Sequence, residues 1–430
     1  MTDTSFFKRA WIISDCEPLP TDEDPRLMRA GLLAEYLAQK GWKVTWFAPG
    51  FDHGKKTDRF DSTQEIEVNA NEKLIALHSP VTYSKNTSPK RIIFYRRLAG
   101  ELRKSFEKEH LPYVIFCSWP TQTFAKEALE YGRKAGVPVV LDVRDLWPDI
   151  FTRVFPEALQ GPARLALVPS VSQAKKLFRQ ADAITAVTPG ALRWGLEKAG
   201  RPGGSADRTV YIGYENSEIP EEELAKAMDA WRSVGITEDT FNFTYFGTFS
   251  MSTLDMETVI RAFREIAASR SDVRLLIIGA GDAEQKFKDA AGDCDRVLFP
   301  GWCSNVQIQS ALKLSNVGLY PFRNLEDFRD AFGNKIIGYM ASGLPVMSSL
   351  EGFSKAYMEQ FGTGRTYREG DVSSAKEVMM SFLNNDEENR EMGRRGFERF
   401  REDFDMPVVN RKLEELLTEL IERNIPAEGK

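Results

Sequence analysis

Short, nearly continuous apolar runs alternate along the chain with longer segments in which apolar residues recur every three or four positions. In the first half, strands are predicted from the runs AWIISD, WKVTWFAP, YVIFCSWP, VPVVLDVRD, ADAITAVT and TVYIGY. Helices are predicted between them, as in RLMRAGLLAEYLAQKG and TFAKEALEYGRKAG. Apolar strands that alternate with helices are typical of a parallel sheet covered on both faces.

The second half repeats this alternation. Its predicted strands are FNFTYFGTF, VRLLIIGAG, RVLFPGW, NVGLYPF and LPVMSS, with helical patterns between them. We predict an α/β fold with two doubly wound, Rossmann-like parallel-sheet domains, at 1–205 and 206–395, that face a cleft. A C-terminal helix at 396–430 is predicted to pack across both domains. Ligands of such sheets bind beyond the carboxyl ends of the strands, so the loops there are the candidate sites.

The composition limits the classes of protein to which this chain can belong. No apolar run in the 430 residues approaches the roughly 20 that a membrane helix needs, and the N-terminal residues show no signal-peptide pattern. The four cysteines and three histidines are too scattered for a metal site or a triad. We therefore expect a cytoplasmic protein with free thiols, no metal and no nucleic-acid partner.

Positive charge is concentrated in the segment 85–108, KNTSPKRIIFYRRLAGELRKSFEK, where basic residues interleave with apolar ones. Residues 1–200 carry 29 Lys and Arg against 24 Asp and Glu, although the whole chain has a net charge of −6. A basic amphipathic helix can lie on an anionic membrane surface, which would make the protein peripheral. The alternative is the solvated face of an ordinary helix.

Three turns in the second half are candidates for phosphate binding. The stretches YFGTFS and IIGAGD run from a predicted strand into a glycine turn, and the predicted helix NKIIGYMAS begins with a lysine in its first turn. Bare backbone amides and a lysine at a helix N-terminus both suit a diphosphate. The candidate residues are Gly247, Thr248, Gly279, Gly281, Asn334 and Lys335. Taken singly, each is more commonly part of a tight turn or an exposed lysine.

Three loops in the first half also follow predicted strands. They are SDCEPLPTDEDPRLMRAG, CSWPTQ and DVRDLWPD, and they are rich in carboxylates and tryptophan. The candidate residues in these loops are Asp15, Arg26, Trp119, Arg144, Asp145 and Trp147. A solvated loop is the alternative for the first of these stretches, and a helix-capping Asp is the alternative for the third.

Together with YFGTF, GAGD and NVGLYPF, the run NKIIGYMASGLPVMSS resembles the nucleotide-sugar-binding domain of family 4 glycosyltransferases, which are retaining enzymes of the GT-B fold. The first half, through its long loop after the first strand, FDHGKK and DVRDLWPD, resembles the acceptor-side domain of bacterial members that build cell-surface polysaccharides. The resemblance spans nearly the whole chain. It implies that 1–205 is the acceptor side and that 206–395 binds the donor.

The sequence departs from the family pattern at the donor site. The family has two glutamates in E-x7-E spacing, and the second holds the ribose hydroxyls; here the two positions are Asp330 and Gly338. A charge-assisted hydrogen bond contributes about 1.5–3 kcal/mol, so its loss weakens the site. The family also commonly has a basic pair after the first strand of this domain, and FGTFSMSTLDME has none. Lys335 is then the best candidate for the phosphate charge.

The resemblance implies a retaining transfer of a hexosyl or N-acetylhexosaminyl group from a nucleotide-diphosphate sugar to an acceptor hydroxyl, without a cofactor or metal. The implied acceptor is a polyprenyl-diphosphate-linked saccharide at the inner face of the membrane. Catalytic roles fall to Asp330 and Lys335, and to Asp145 and Arg144 where many members have a histidine. Trp302 is expected to border the base.

Two other functions remain open at this point. A sugar-nucleotide epimerase of the same fold needs carboxylates and histidines gathered in the cleft, and this sequence has few histidines. A non-catalytic partner protein that kept the fold and lost donor binding is favoured by Gly338 and by the missing basic pair. The asparagine–lysine pair at 334–335 and the glycine turns favour catalysis instead.

Overall fold

The computed structural model describes residues 8–23, 25–85, 88–154, 157–215 and 219–425. The chain forms two compact units, one of Met1–Gly213 with Val409–Lys430 and the other of Tyr214–Val408. These limits differ from the predicted ones because the end of the chain returns to the first unit. Its apolar residues there, among them Leu413, Leu417 and Leu420, join the core of that unit.

A parallel sheet forms the centre of the first unit. The strands of this unit are β1 (Arg9–Ile13), β2 (Lys43–Pro49), β3 (Phe51–Asp52), β4 (Thr57–Asp58), β5 (Gln64–Asn69), β6 (Glu72–Leu77), β7 (Val114–Trp119), β8 (Val139–Val143), β9 (Ala183–Ala186) and β10 (Arg208–Thr209). Eight of them form one sheet in the order β10-β9-β8-β7-β1-β2-β6-β5, and β3 and β4 form a separate hairpin. Neighbours in the large sheet are parallel except β5 and β6, which are antiparallel.

Helices cover both faces of this sheet. They are α1 (Arg29–Gln39), α2 (Pro89–Phe106), α3 (Gln122–Ala135), α4 (Glu157–Phe178), α5 (Pro189–Ala199) and, from the end of the chain, α15 (Met406–Asn424); a short 3₁₀ turn spans Asp149–Val154. Alternate residues of a strand pack on opposite faces, as Trp11 and Ile13 do on one side and Ala10 and Ile12 on the other. Two buried faces explain why these strands are apolar throughout.

One buried ion pair ties α1 to the sheet. The Arg29 guanidinium donates to both carboxylate oxygens of Asp142 at the end of β8, over 2.8 and 3.0 Å, and to the carbonyl of Tyr211. Asp142 also accepts a hydrogen bond from the Thr185 hydroxyl. Both charged side chains are almost fully excluded from solvent, at 5% and 0% exposure. The pair fixes where α1 begins, and with it the end of the long loop that follows β1.

The second unit has the same design. Its strands are β11 (Phe241–Phe246), β12 (Val273–Ile278), β13 (Val297–Gly301), β14 (Val317–Tyr320), β15 (Val346–Ser348) and β16 (Gly364–Thr366). They form one parallel sheet in the order β13-β12-β11-β14-β15-β16. The helices are α6 (Glu221–Ser233), α7 (Met256–Ala267), α8 (Glu284–Ala291), α9 (Asn305–Lys313), α10 (Glu326–Arg329), α11 (Asn334–Ala341), α12 (Phe353–Phe361), α13 (Val372–Leu383) and α14 (Asp386–Asp403).

The strand orders locate the expected binding edges. In the first sheet the order reverses between β1 and β7, and in the second between β11 and β14. Loops that leave two such strands run to opposite sides and leave a crevice beyond their carboxyl ends. The predicted site residues of the second unit follow β11, β12 and β13 or lie in or beside α11, and those of the first follow β1, β7 and β8.

The predicted strands and helices of the two sheets are largely found, with some differences. The stretch TVYIGY yields only the two-residue β10, and its Tyr214 instead donates a backbone hydrogen bond to the carbonyl of Phe404. The antiparallel pair β5–β6 and the helix α4 were not predicted. Helix α4 contains Pro162 and Pro169, which hide a helix from sequence patterns because proline lacks the amide donor.

Candidate functional site

The glycine turns after β11 and β12 bind to each other through their backbones. Gly247 donates to the carbonyl of Ile278, Phe249 donates to Ala280, and the Met251 amide donates to the carboxylate of Asp282. A methyl group on Gly279 would lie 1.9 Å from the Gly247 carbonyl oxygen. Only glycine permits this approach, so the two turns form one rigid floor at the ends of the strands.

Some backbone amides of these two turns already donate hydrogen bonds within the protein. Those of Gly247 and Gly279 donate to carbonyls at the ends of the neighbouring strands β12 and β13, which corrects the expectation that both would be bare toward a ligand. Thr248 and Gly281 are exposed on the floor, and Asn334 is exposed at the start of α11. A phosphate at this place would therefore depend on a side-chain cation more than on the amides of the two turns.

Lys335 reaches over this floor from the first turn of α11. Its ammonium lies 5.8 Å from the ring centre of Tyr245 on β11 and 5.4 Å from that of Phe322 after β14. It thus spans the point where the strand order of the second sheet reverses. Burial lowers the pKa of Lys335 below its usual 10.5. Within the described ranges no carboxylate lies close enough to form an ion pair with it, so a cation is held partly desolvated without a counter-charge.

Gly247 makes room for this lysine. A methyl group at position 247 would lie 2.2 Å from Lys335 Cε and 2.7 Å from its Nζ. The residue also has a φ of +138°, in the region that other residues rarely adopt. Gly247 and Lys335, which were predicted to belong to one site, are therefore in direct contact.

Gly247→Ala is expected to abolish the stabilisation of the fold by nucleotide, because the new methyl group displaces the lysine chain. The control is Gly343→Ala, which has a φ of +68° but no atom within 4 Å of its added methyl. Both positions have a positive φ, which strains an alanine by about 1–3 kcal/mol. Thermal unfolding with and without UDP or GDP separates the two effects. If both variants keep the nucleotide shift, the contact between Gly247 and Lys335 is unimportant for binding.

Asp330 and Trp302, predicted to contact the donor sugar and the base, are both exposed in the second unit. Asp330 follows α10, four residues before α11 begins. Trp302 has 78% of its surface exposed and follows Gly301 at the end of β13. Trp302 thus lies at a strand end and Asp330 between two helices, and their contacts with a ligand stay predictions.

Tyr214 and Gln309 were not predicted as site residues. A methyl group on Gly338 would lie 3.3 Å from the Tyr214 hydroxyl oxygen and 3.5 Å from Phe246. The Gln309 amide on α9 donates to the same hydroxyl over 3.3 Å. Tyr214 is far from position 338 in the chain, so only tertiary structure reveals that its ring faces the helix glycine.

Asp15 is the centre of a hydrogen-bond network in the first unit. One carboxylate oxygen accepts from the Tyr95 hydroxyl at 2.5 Å and from the Cys16 amide at 2.7 Å. The other accepts from the Thr121 hydroxyl at 2.8 Å. Asp15 follows β1 and Thr121 follows β7, so this network spans the point where the order of the first sheet reverses. The prediction that Asp15 lies at a strand-end site is consistent with this position.

The predicted residues after β8 and in the loop after β1 are arranged differently. Arg144 forms an ion pair with Glu17, whose other oxygen accepts from the Ala30 amide at the start of α1. Asp145 accepts a hydrogen bond from the Leu146 amide. Arg26 is exposed, and Arg29 forms the buried pair with Asp142 instead. Arg144 therefore holds the loop after β1 in place.

Trp119 does not belong to the surface of the site. Its side chain is fully buried against Phe178, with ring centres 4.6 Å apart. This corrects its prediction as an acceptor-side residue. Its indole nitrogen donates to the carbonyl of Trp147, so it supports the loop that carries Trp147. The Trp147 ring itself lies 4.7 Å below the guanidinium of Arg91.

A cluster of cations around Tyr83 was also not predicted. Lys56 and Arg91 lie 5.1 and 5.7 Å from the centre of the Tyr83 ring, and the tyrosine hydroxyl is 2.6 Å from His53 Nδ1. Lys56 has a φ of 60°, a conformation in which a residue other than glycine is strained. Burial and then the charges of Lys56 and Arg91 lower the pKa of His53 below 6.5. Strained backbone and perturbed pKa values are both more frequent at functional sites.

The described residues contain neither a group of metal ligands nor a membrane-spanning helix. In the part of the chain that the structure describes, no three or more His, Cys, Asp or Glu side chains are grouped so that they could hold a metal ion. No described helix is both long and apolar enough to cross a membrane.

Family models match both units. The model "Glycosyl transferases group 1" matches residues 232–399, and "Glycosyltransferase Family 4" matches residues 29–206. A phosphatidyl-myo-inositol mannosyltransferase of Mycobacterium leprae is 26% identical over 143 residues. That match covers 33% of this chain and 37% of the mannosyltransferase, so the chain is matched to a little over a third of that relative.

Solved structures are similar over nearly the whole chain. The sucrose-phosphate synthase of Thermosynechococcus elongatus has a TM-score of 0.66 at 18% identity, covering 97% of this chain and 100% of that one. The Anabaena protein HepE in complex with UDP has a TM-score of 0.62 at 13% identity, covering 95% and 100%. An E. coli trehalose-6-phosphate protein bound with UDP-2-fluoro glucose has a TM-score of 0.65 at 12% identity, covering 96% and 99%. The chain belongs to the family 4 glycosyltransferases and has the GT-B fold.

Proposed function

We propose that this glycosyltransferase binds a nucleoside-diphosphate sugar in its second unit and transfers the sugar with retention to an acceptor hydroxyl. The observation that carries the proposal is Lys335, a partly desolvated cation above the glycine turns. A diphosphate supplies the counter-charge that the described residues do not provide. Solved structures of the same fold hold UDP or a UDP sugar, which supports a nucleotide-sugar donor.

The chemistry that this arrangement supports is electrostatic. As the bond from the sugar to the diphosphate breaks, negative charge grows on the leaving oxygen. A cation already held in place above the floor stabilises that charge without reorganisation. Lys335 therefore receives the catalytic role, and Asp330 is proposed to bind the donor sugar. Asp15, Asp145 and Arg144 are proposed to shape the acceptor side, Arg144 through its pair with Glu17.

The stereochemical course can be tested without the acceptor. Many transferases slowly hydrolyse their donor, and NMR of the released sugar shows which anomer forms first. We expect the anomer of the donor, because retention is part of the proposal. Release of the opposite anomer would contradict a retaining mechanism and leave donor binding intact.

We further propose that the acceptor carries a diphosphate, as a polyprenyl-diphosphate-linked saccharide does. The support is the cation cluster of His53, Lys56 and Arg91 around Tyr83 in the first unit. Lys56 Nζ lies 3.2–3.3 Å from both ring nitrogens of His53, so the cluster combines two cations with an imidazole that can take up a proton. The carboxylates of Asp15 and Asp52 also act on this imidazole. A diphosphate would interact favourably with both cations and with the protonated imidazole.

Pyrophosphate is expected to raise the pKa of His53, because a bound anion favours the charged imidazolium. In the free protein burial and then the neighbouring cations hold this pKa below 6.5, so the shift is upward. The chain has only three histidines, so an NMR titration resolves them, with His78 and His110 as internal controls. An unchanged His53 titration at saturating pyrophosphate would contradict the anion site.

The membrane proposal rests on α2. Its buried side packs through Phe94, Leu98 and Leu102, whereas Ile92 is 59% and Ile93 is 45% exposed. Arg96 and Arg97 are exposed beside them. An exposed pair of isoleucines flanked by arginines suits the headgroup region of an anionic bilayer.

Arg96→Gln with Arg97→Gln is expected to weaken binding to phosphatidylglycerol-containing vesicles about 10- to 30-fold at low salt, since each basic residue contributes about 1 kcal/mol. Vesicle sedimentation measures this. The matched control replaces Arg390 and Arg394 with glutamine on α14, where both arginines are exposed. Wild-type protein that ignores anionic vesicles at low salt would remove the membrane proposal without affecting donor binding.

A non-catalytic partner protein stays the second candidate function. The observation that favours it is Gly338, which offers no carboxylate where the family pattern has one. A chain that binds no nucleotide at all would favour this candidate.

A further inference from the structure

The face of α11 that carries Lys335 continues with Gly338, three residues further along the helix. Glycine in a helix interior costs about 1 kcal/mol relative to alanine, so helix stability does not explain why a glycine stands at this position. Gly338 is buried, and the space beside it contains the ring and hydroxyl of Tyr214. Position 338 is therefore not an empty place left by a missing side chain.

A glutamate at 338 would have to compete with Tyr214 for this space. Its Cβ alone would lie 3.3 Å from the tyrosine oxygen and 3.5 Å from Cζ of the same ring, before the four further heavy atoms of the side chain are placed. The Tyr214 hydroxyl thus lies directly beside the point at which a side chain at 338 would begin. Its backbone is fixed on the other side, by hydrogen bonds with Phe404 and Met406.

The Tyr214 hydroxyl lies next to two helices that are connected with other predicted donor residues. On α11 it is beside Gly338, three residues after Lys335, the proposed ligand of the diphosphate. On α9 it accepts from Gln309, and that helix begins three residues after Trp302, the residue predicted to border the base. A ribose joins a diphosphate to a base, so its hydroxyl groups belong at the place where Tyr214 and Gln309 meet Gly338.

We propose that the Tyr214 hydroxyl, held by the Gln309 amide, binds the ribose hydroxyls of the donor nucleotide in place of the carboxylate that Gly338 lacks. This inference rests on the proposed donor function of the second unit. Compared with the family pattern, a neutral hydroxyl replaces a charged carboxylate, and the hydroxyl can both accept and donate a hydrogen bond. It predicts a donor site that still selects ribose, with a weaker hold than a carboxylate provides.

The test measures the affinity of the full chain for UDP and for 2′,3′-dideoxy-UDP by calorimetry. Tyr214→Phe removes the hydroxyl and keeps the ring. We expect it to raise the Kd for UDP about 3- to 10-fold, the range for one neutral hydrogen bond, and to leave the Kd for the dideoxy form unchanged. The control is Tyr131→Phe, in which a ring that packs on Trp11 and Phe106 in the first unit loses its hydroxyl.

A second pair of variants tests the shared space. Gly338→Glu alone is expected to weaken UDP binding because the new side chain collides with Tyr214. Gly338→Glu with Tyr214→Ala is expected to restore it, with a preference for UDP over the dideoxy form at least as large as in the wild type.

The outcomes distinguish the inference from the function on which it rests. If the wild type binds UDP and Tyr214→Phe binds both nucleotides as the wild type does, the inference is overturned and donor binding stands. Tighter UDP binding by Gly338→Glu with Tyr214 present would also overturn it, because the space would then be free. A wild type that binds neither UDP nor GDP would contradict the proposed function itself, and this inference with it.

Discussion

Lys335→Ala is expected to lower the turnover of the nucleotide sugar about 100- to 1000-fold, the usual effect of losing a preorganised group that stabilises the charge of the transition state. The expectation follows from position: Lys335 spans the reversal point of the second sheet, contacts Gly247 and lacks a counter-charge among the described residues. The same variant is expected to lose the stabilisation of the fold by nucleoside diphosphate. Release of the diphosphate in a coupled assay measures the first effect.

The control for this variant is Lys355→Ala on α12, whose ammonium pairs with Glu351 on the surface of the same unit. It is expected to change turnover less than twofold. A Lys335→Ala enzyme with wild-type turnover would place the phosphate charge elsewhere, and Arg323, which donates to the carbonyl of Leu254, would be the next residue to test.

The lowered pKa of Lys335 adds a dependence on pH. A lysine whose pKa lies below 10.5 loses its charge at a lower pH than an ordinary lysine, so diphosphate affinity is expected to fall as pH rises through that lowered pKa. The bound anion raises the pKa again, and proton uptake therefore accompanies binding in this range. Calorimetry in two buffers of different ionisation enthalpy detects that uptake.

Asp142→Asn is expected to destabilise the first unit by about 3–5 kcal/mol, because it leaves the charge of Arg29 buried without its partner. Two guanidinium contacts and the bond from Thr185 converge on this carboxylate. Urea unfolding followed by tryptophan fluorescence measures the loss. Because the pair holds the start of α1, the variant is also expected to loosen the loop that carries Asp15 and Glu17.

Two comparisons make this expectation specific. Asp386→Asn breaks an exposed pair with Arg390 and should cost less than about 1 kcal/mol. Arg29→Met combined with Asp142→Leu removes both charges and should be less destabilising than Asp142→Asn alone. A single variant within about 1 kcal/mol of the wild type would show that the buried charge is compensated by other groups.

The sheets could be predicted from sequence because both of their faces are buried. Strands such as β7 and β12 then read as continuous apolar runs that are hard to mistake. Strand β5 faces solvent on alternate residues, and its pattern QEIEVN is short and half polar, which is why it was missed. The return of α15 to the first unit depends on distant packing against Leu33 and Trp42 and leaves no local signal.

The candidate site residues likewise divide into those with a local sequence pattern and those that depend on tertiary contacts. The proximity of Gly247, Gly279 and Lys335 was predictable because strand-end glycines and a lysine at a helix start are local patterns with a physical meaning. The contact of Tyr214 with Gly338 in the second unit and the His53 cluster in the first were not, because residues far apart in the chain form them. Trp119 was misplaced because the end of β7 is more deeply buried than its position before a turn indicated.

The most direct test of the central claim is thermal unfolding of the full chain with UDP, GDP, ADP and TDP, each with and without magnesium. A ligand at 100 times its Kd stabilises the fold by about 2.7 kcal/mol, a shift that is easily measured. The account predicts that one of these nucleotides stabilises the wild type without magnesium and leaves Lys335→Ala unchanged. No shift with any of them at millimolar concentration would contradict donor binding and would favour a non-catalytic partner protein.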